Sequence, residues 1–354
     1  MTTARGKLVD VSVSRWYHCI SRTVRQAWLL ADGDDSGDGS GVGDRKLWIE
    51  RRLKELDAIF AVSVGGFSVM DNHLHLLLRL DPEVAKQWSA EEVVDRWFRL
   101  YPPRGTDRKP LPPAKLKELV AKRLADPEWV GKTRDRLSSL SWFMKCLKEP
   151  LSRLVNKAEK RRGTFFEGRF KSIAVLDEEA LLAVCAYIDL NPVAAGIAPT
   201  PEASKHTSVK ARVEHVQQQG RQADLQAVRQ GSVAGSRASR ELEEALWLIP
   251  IEDRRQLDSQ REGMLAGFTL ANYLLLVEHT GRMYREGKAS ITAEVSDILA
   301  RVGSSAEGWQ ACMQRLQGER LLGRFIAGSR ELLQSTAQRL GLTRAVNLSA
   351  VQSG

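Results

Sequence analysis

The sequence predicts an α+β fold, with strands and helices alternating through the first two hundred residues and a helical half behind them. Three observations carry that prediction. Apolar spacing switches between period two and a helical period over residues 11–190. The stretch 199–240 then turns to Gln, Ser, Arg and Ala and loses its hydrophobic period. Short amphipathic segments follow it, punctuated by Gly263, Gly267, Gly281 and Gly303, with no convincing strand. At 354 residues and 43% hydrophobic content, the chain can build one large or two ordinary cores.

Residues 11–21 are rich in Val, Trp, Tyr and Ile and alternate loosely, which predicts a strand. The run from Asp32 to Gly43, mostly Gly, Ser and Asp, can bury nothing and predicts a flexible surface loop. Asp32, Asp34 and Asp38 give it a passing likeness to a calcium loop, but Gly43 stands where the bidentate Glu belongs, which argues against the ion. Asp44 is a candidate N-cap for a helix over 45–59, where Leu47, Trp48, Leu53, Leu56 and Ile59 keep near-helical spacing. Residues 60–70 and 72–80 predict two strands near enough to form a hairpin, the first broken at Gly65-Gly66. Over 81–134, Trp88, Trp97 and Phe98 point to helical pieces interrupted by prolines. Leu137, Leu140, Phe143, Met144, Leu147, Leu151, Leu154 and Val155 mark an amphipathic helix, which Pro150 is expected to kink or split. Arg169 to Leu176 predicts a short strand. Asp177 then caps a helix with Glu178 and Glu179 in its first turn, where the helix dipole favours negative charge.

Apart from an insertion at 81–134, the order is strand, helix, strand, strand, helix, strand, helix. That is the split β-α-β pattern of a ferredoxin-like or RRM-like plait with one further helix. The expected organisation is a plait over 1–198, a linker over 199–240 and an all-α domain over 241–354.

The charge balance is 53 Lys+Arg against 44 Asp+Glu, a net +9, which leans toward a polyanionic partner. Nine basic residues against three acidic ones between Lys145 and Lys171 place a net +6 of that charge in one segment. Lys145, Lys148, Lys157, Lys160, Arg161, Arg162, Arg169 and Lys171 are the candidate nucleic-acid contacts in it. Phe165, Phe166 and Phe170 lie among them, a pattern suited to tracking phosphates and stacking unpaired bases, although core packing is the plainer role for some of the rings. The longest uncharged apolar-rich stretch, 263–277, is shorter than the ~20 residues a membrane span needs, so no membrane partner is expected. The N-terminus has no apolar leader, and the four cysteines form no C-x-x-C pair, which together lead to the expectation of a cytoplasmic protein with reduced thiols.

Two further groupings carry candidate chemistry. In Met70-Asp-Asn-His73-Leu-His75-Leu-Leu-Leu-Arg79-Leu80, strand alternation puts His73, His75, Leu77 and Arg79 on one face and Leu74, Leu76, Leu78 and Leu80 on the other. Two neutral imidazoles one pleat apart can chelate a divalent cation. A merely wet strand face is the alternative, but two of the chain's six histidines at i, i+2 favour the metal site. In Tyr187-Ile-Asp-Leu-Asn191-Pro192, Tyr187 and Asn191 are one turn apart and can face a common site. Alone, they read equally as a core-boundary Tyr and an Asn-Pro helix stop, and Pro192 is expected to push Asn191 out of helical geometry.

Taken together, the chain resembles the single-tyrosine HUH transposases, and within them the REP-associated tyrosine transposases. The resemblance is carried over about residues 8–210 by Trp16-Tyr-His-Cys-Ile-Ser-Arg22, Met70-Asp-Asn-His-Leu-His-Leu-Leu78, Phe166-Glu-Gly-Arg-Phe-Lys-Ser172 and Tyr187-Ile-Asp-Leu-Asn-Pro-Val193 with Gly196, in that order. It implies an HUH endonuclease core, with His73 and His75 as metal ligands, Asn191 as a third, Tyr187 as nucleophile and Mg²⁺ or Mn²⁺ as cofactor. The implied reaction cuts single-stranded DNA near a hairpin through a 5′-phosphotyrosine and a free 3′-OH. Relatives commonly carry a basic residue after Asn-Pro-Val, where this chain has Ala194. A non-catalytic nucleic-acid-binding plait and a metal phosphohydrolase using water remain the alternatives. The expectation leaves open whether the chain is a monomer or a homodimer.

Overall fold

The structure, a computed structural model, describes residues 8–31, 44–229, 239, 241–253, 261–286, 293–300, 304–317, 326–328, 330–340 and 346–347. The aspartate-rich loop at 32–43 lies outside the described residues. The fold is α+β. Strands β1 (Trp16–Arg22), β2 (Val62–Val69), β3 (His73–Leu80) and β4 (Lys171–Val175) form an antiparallel sheet in the spatial order β2-β3-β1-β4. Helix α1 (Arg45–Asp57) joins β1 to β2. The insertion folds as α2 (Pro82–Gln87), α3 (Ala90–Leu100), α4 (Pro113–Leu124) and α5 (Pro127–Leu137) before α6 (Leu140–Ala158), and α7 (Glu178–Ala194) follows β4.

Alternation along the strands sorts the two sheet faces. Tyr17, Cys19, Leu74, Leu76 and Leu78 join Leu53, Leu56, Phe143, Leu147 and Leu151 in one core beneath α1 and α6. Ile20, Leu77, Ile173 and Val175 pack on the other side against Leu181, Val184 and Ile188 of α7. The face carrying the histidines is therefore the one that α7 covers. Between Val64 and Gly66 the β2–β3 register shifts in a bulge, so the strand passes through the glycine pair instead of breaking there. A Cβ on Gly65 would come within 2.9 Å of the Trp16 ring and 3.0 Å of Met264 Sδ, which leaves room for glycine alone.

The two helix prolines behave differently from expectation. Pro150 does not split α6, which runs from Leu140 to Ala158 with the proline inside it. The carbonyl left without its usual donor four residues back is that of Cys146, and Arg52 Nε of α1 donates to it at 3.2 Å. Pro192 likewise sits inside α7, which continues to Ala194 and keeps Asn191 helical.

The second half needs a correction as well. It is mostly helical, with helices Leu270–Glu286, Ala293–Ala300, Ala306–Gln317 and Arg330–Leu340, but it is not all-α. Short strands β5 (Glu252–Asp253) and β6 (Leu265–Ala266) pair with each other, while β7 (Ile326–Gly328) and β8 (Val346–Asn347) extend the main sheet in parallel beyond β4. Strands of two or three residues are too short for a period-two pattern to be read. The region expected as a linker holds helices α8 (Ser208–Gln218) and α9 (Gln222–Arg229). Phe268, Tyr273, Leu276, Trp309 and Leu316 share the α7-side core, so α7 is buried between the sheet and the C-terminal helices. No helix among the described residues is long and apolar enough to cross a membrane.

The Arg52–Cys146 contact yields a test. Arg52→Met is expected to lower the unfolding free energy by about 1–2 kcal/mol. In a Pro150→Ala background, where residue 150 supplies the N–H itself, the loss should largely vanish. Urea titrations of the four variants measure the coupling; equal losses in both backgrounds would show that Arg52 does not replace the missing donor.

Candidate active site

Strands β1 and β3 pair so that Ile20 lies opposite His75 and Arg22 opposite His73, with His18 opposite Leu77. Residues paired in this way share a sheet face. Alternation therefore gathers His18, Arg22, His73 and His75 beneath α7, and β4 adds Lys171, opposite Ile20. Tyr187 of α7 meets this group edge-on, its ring centre 5.5 Å from that of His75 and 6.0 Å from that of His18. The His73 and His75 ring centres are 4.9 Å apart with planes at 79°.

Three residues singled out from the sequence, His73, His75 and Tyr187, thus come together. His18 and Arg22 join them and were not singled out. Both lie in the segment Trp16 to Arg22, and the signal that could have found them is parity: on one strand, positions 18 and 22 share a face. Among the described residues Arg22 makes no ion pair, yet its charge acts on His73, His75, Tyr187 and Lys171 together, which puts its guanidinium near all four.

Hydrogen bonds settle the state of one imidazole. Asn72 Nδ2 donates to the Gln26 carbonyl at 3.1 Å, which turns Asn72 Oδ1 toward His73. An amide oxygen only accepts, so His73 Nδ1 donates to it at 2.6 Å and His73 Nε2 keeps its lone pair. On the inner side, His18 Nε2 and His75 Nδ1 lie 2.9 Å apart. Burial pushes the His18 imidazolium down to about 3, and burial with the Arg22 charge pushes His73 down to about 4. His75 is driven well below its usual range by burial and by His18, His73 and Arg22, so the histidines are uncharged at neutral pH. Burial raises the Tyr187 phenol above its ordinary value, while Arg22 and a hydrogen bond from Asn191 oppose that rise.

Asn191 lies one turn after Tyr187, and its Nδ2 donates to the Tyr187 carbonyl at 2.8 Å. Among the described residues its side chain thus bonds to Tyr187 and to neither imidazole. Among the described residues no three His, Cys, Asp or Glu side chains converge as a metal cage. The donor set fits an ion held by two imidazoles: the ring centres of His73 and His75 lie within reach of one cation bound about 2 Å from a nitrogen of each. The remaining positions of such an ion would fall to oxygen donors, which Mg²⁺ and Mn²⁺ prefer.

The basic run divides between the sheet faces. Lys171 stands on the histidine face, and burial, then the Arg22 charge, holds its ammonium below the usual lysine value. Lys145, Lys148 and Lys157 belong to α6, on the opposite face, and Lys160, Arg161, Arg162 and Arg169 are exposed in the connection to β4. Lys145 lies 4.5 Å over the Trp142 ring, and Lys148 4.7 Å over Phe166. Phe165, Phe166 and Phe170 are all buried, at 4%, 5% and 7% exposure, so the structure assigns all three rings to the core and none to base stacking. In the second half, Arg282 pairs with Glu278 and Arg285 donates to the Pro199 carbonyl; Lys288 lies outside the described residues.

Asp189, two residues beyond Tyr187, anchors this helix. Its Oδ1 accepts from Ser208 Oγ at 2.5 Å and Val209 N at 2.8 Å, and its Oδ2 from Tyr273 Oη at 2.5 Å.

No family model matches the chain, and no curated protein matches its sequence. Among solved structures, it is similar to a REP-associated tyrosine transposase bound to a REP hairpin, at 12% identity and a TM-score of 0.32, over 56% of this chain and 78% of that one. Similarity at that level leaves the functional reading to the side chains.

Tyr273→Phe would leave the buried Asp189 carboxylate one donor short, and is expected to cost about 2 kcal/mol. The readout is a lower urea midpoint at unchanged slope. Stability within about 0.5 kcal/mol of the parent would show that this contact does not anchor α7.

Proposed function

We propose that the chain is a metal-dependent single-stranded DNA endonuclease and strand transferase of the single-tyrosine HUH type, its catalytic unit a ferredoxin-like plait over residues 1–198. The observation that carries this reading is the Tyr187 phenol set against two uncharged imidazoles on one strand, with Arg22 beside them. The strand order β2-β3-β1-β4, with α1 and α6 together on one face, supports the plait.

In this reading Arg22 and Lys171 bind the non-bridging oxygens of the scissile phosphate, and their charges offset what develops in the transition state. His73 and His75, with Asn191 as a third donor, would hold Mg²⁺ or Mn²⁺, which supplies Lewis-acid polarisation of the phosphate. Tyr187 must lose its proton before it can attack. Burial works against that, whereas Arg22 and Asn191 favour it. The Tyr187 oxygen then forms a bond to phosphorus as the P–O3′ bond breaks. The departing 3′ oxygen takes up a proton, leaving a 5′-phosphotyrosine whose phosphodiester energy is conserved. A second 3′-OH can reverse the step and join strands without ATP. The cations on α6 and the β4 connection are assigned to the flanking single-stranded or hairpin DNA.

The test is incubation of the full chain with Mn²⁺ and a hairpin-bearing single strand that carries a fluorophore at its 3′ end, the end a 5′-phosphotyrosine retains. A covalent, fluorescent adduct is expected on a denaturing gel and should disappear in Tyr187→Phe. Cleavage that persists in Tyr187→Phe and yields a free 5′-phosphate would replace this reading by a hydrolase using water. Binding with neither product would replace it by a nucleic-acid-binding module.

Arg22→Ala is expected to slow adduct formation by about 10²-fold. A rate equal to the parent's would remove Arg22 from the phosphate site.

A further inference from the structure

His18 has no part in the chemistry assigned above, yet it is a polar ring with 0% exposure at the centre of the site. Its ring centre lies 5.1 Å from that of His75, with the two planes at 26°. Its Nε2 lies 2.9 Å from Nδ1 of His75, and its own Nδ1 is buried without a partner among the described residues. Buried polar atoms are nearly always satisfied, so an orphan at this position calls for an explanation.

A hydrogen bond of 2.9 Å takes a single hydrogen between the facing nitrogens, and a ring that binds a cation through one nitrogen carries its one hydrogen on the other. Two arrangements satisfy that condition. If His18 donates, His75 must carry its hydrogen on Nε2, and that nitrogen cannot ligate a cation. If His75 donates, its Nε2 is bare and can ligate, while His18 carries its hydrogen on the orphaned Nδ1. His73 has no such choice, because Asn72 Oδ1 can only accept. The two site imidazoles are therefore unequal: one is preset for a cation and the other is set by its neighbour.

We propose that His18 is a positioning residue for His75, the acceptor that lets His75 turn its Nε2 lone pair to a divalent cation. This rests on the reading of His73 and His75 as metal ligands. Without a cation the pair favours donation by His18, since an orphaned buried N–H is less tolerable than an orphaned acceptor. A cation at His75 selects the other arrangement: the hydrogen of His75 passes from Nε2 to Nδ1 and that of His18 from Nε2 to Nδ1. Both hydrogens stay on the rings, and none is released.

Long-range ¹H–¹⁵N spectra of the full chain, labelled at histidine, report the tautomers directly. His18 is expected to carry its hydrogen on Nε2 without metal and on Nδ1 when Zn²⁺, a diamagnetic probe, is added. His18 retaining Nε2–H with Zn²⁺ bound at His75 would overturn the proposal. Calorimetry with Mn²⁺ gives the second arm. His18→Leu, which removes the acceptor but fills the space with an apolar side chain, should weaken Mn²⁺ about 10-fold or more without loss of stability. His18→Gln, whose side-chain carbonyl accepts near the same point, should recover most of that affinity. A folded His18→Leu chain that binds Mn²⁺ like the parent refutes the proposal, and if that variant does not fold, the spectra of the unmodified chain decide. Failure of the unmodified chain to bind either ion defeats the ligand reading itself, an outcome separate from an unchanged His18→Leu affinity.

Discussion

The pairing of β1 with β3 is the constraint on which the site depends. It sets Arg22 beside His73 and Ile20 beside His75, and through alternation it puts His18 on the face that α7 covers. A slip of one residue would turn His18 and Arg22 into the core under α1 and α6, and would bring Tyr17 and Cys19 out beneath Tyr187. The register is well protected against such a slip. Tyr17 and Cys19 are each 0% exposed in that core, and the slip would put an imidazole and a guanidinium in their place against Leu74, Leu76 and Leu78. The apolar half of each strand thus fixes the polar half, and the chemistry inherits its geometry from packing on the far side of the sheet.

The same alternation explains why charge alone is an incomplete guide to the site. The +6 segment between Lys145 and Lys171 reads as one patch along the chain, but the sheet passes through it. Helix α6 carries its lysines on one side, while Lys171 points to the other, toward Arg22. The connection between them carries Lys160, Arg161, Arg162 and Arg169 exposed, so the run spans both sides of the sheet and is not a single surface.

Much of the fold was legible because its cues are local. The hairpin at 60–80, the Asp44 and Asp177 caps and the His73/Leu74 alternation follow from spacing alone, and each cap accepts the expected backbone N–H. The misses share a cause: a distant partner decides them. Pro150 stays inside α6 because Arg52 of α1 replaces the lost donor, and β7 is a strand because β4 offers it an edge. The phenylalanines of 165–170 are core residues because α6 lies over them, although their basic neighbours made them resemble a stacking platform. His18 was hidden for a related reason. A lone histidine on a strand carries no pattern until β3 brings His75 against it.

The site is also notable for how little acid it contains. Among the described residues, the groups acting on His73, His75 and Tyr187 are one another, His18, Asn191, Arg22 and one carboxylate, Asp71, which is paired with Lys46 at 2.6 Å. Two neutral imidazoles leave the charge of a divalent ion unbalanced, and hard cations complete their shells with oxygen. In the proposed reaction the scissile phosphate supplies both the negative charge and the oxygens, so ion and DNA each strengthen the binding of the other. A carboxylate ligand would hold the ion more tightly in the empty site, but it would repel the phosphate that has to approach it. In the proposed reading, a site made of imidazole, phenol, amide and guanidinium would give up affinity for the free ion and keep its field favourable to a polyanion.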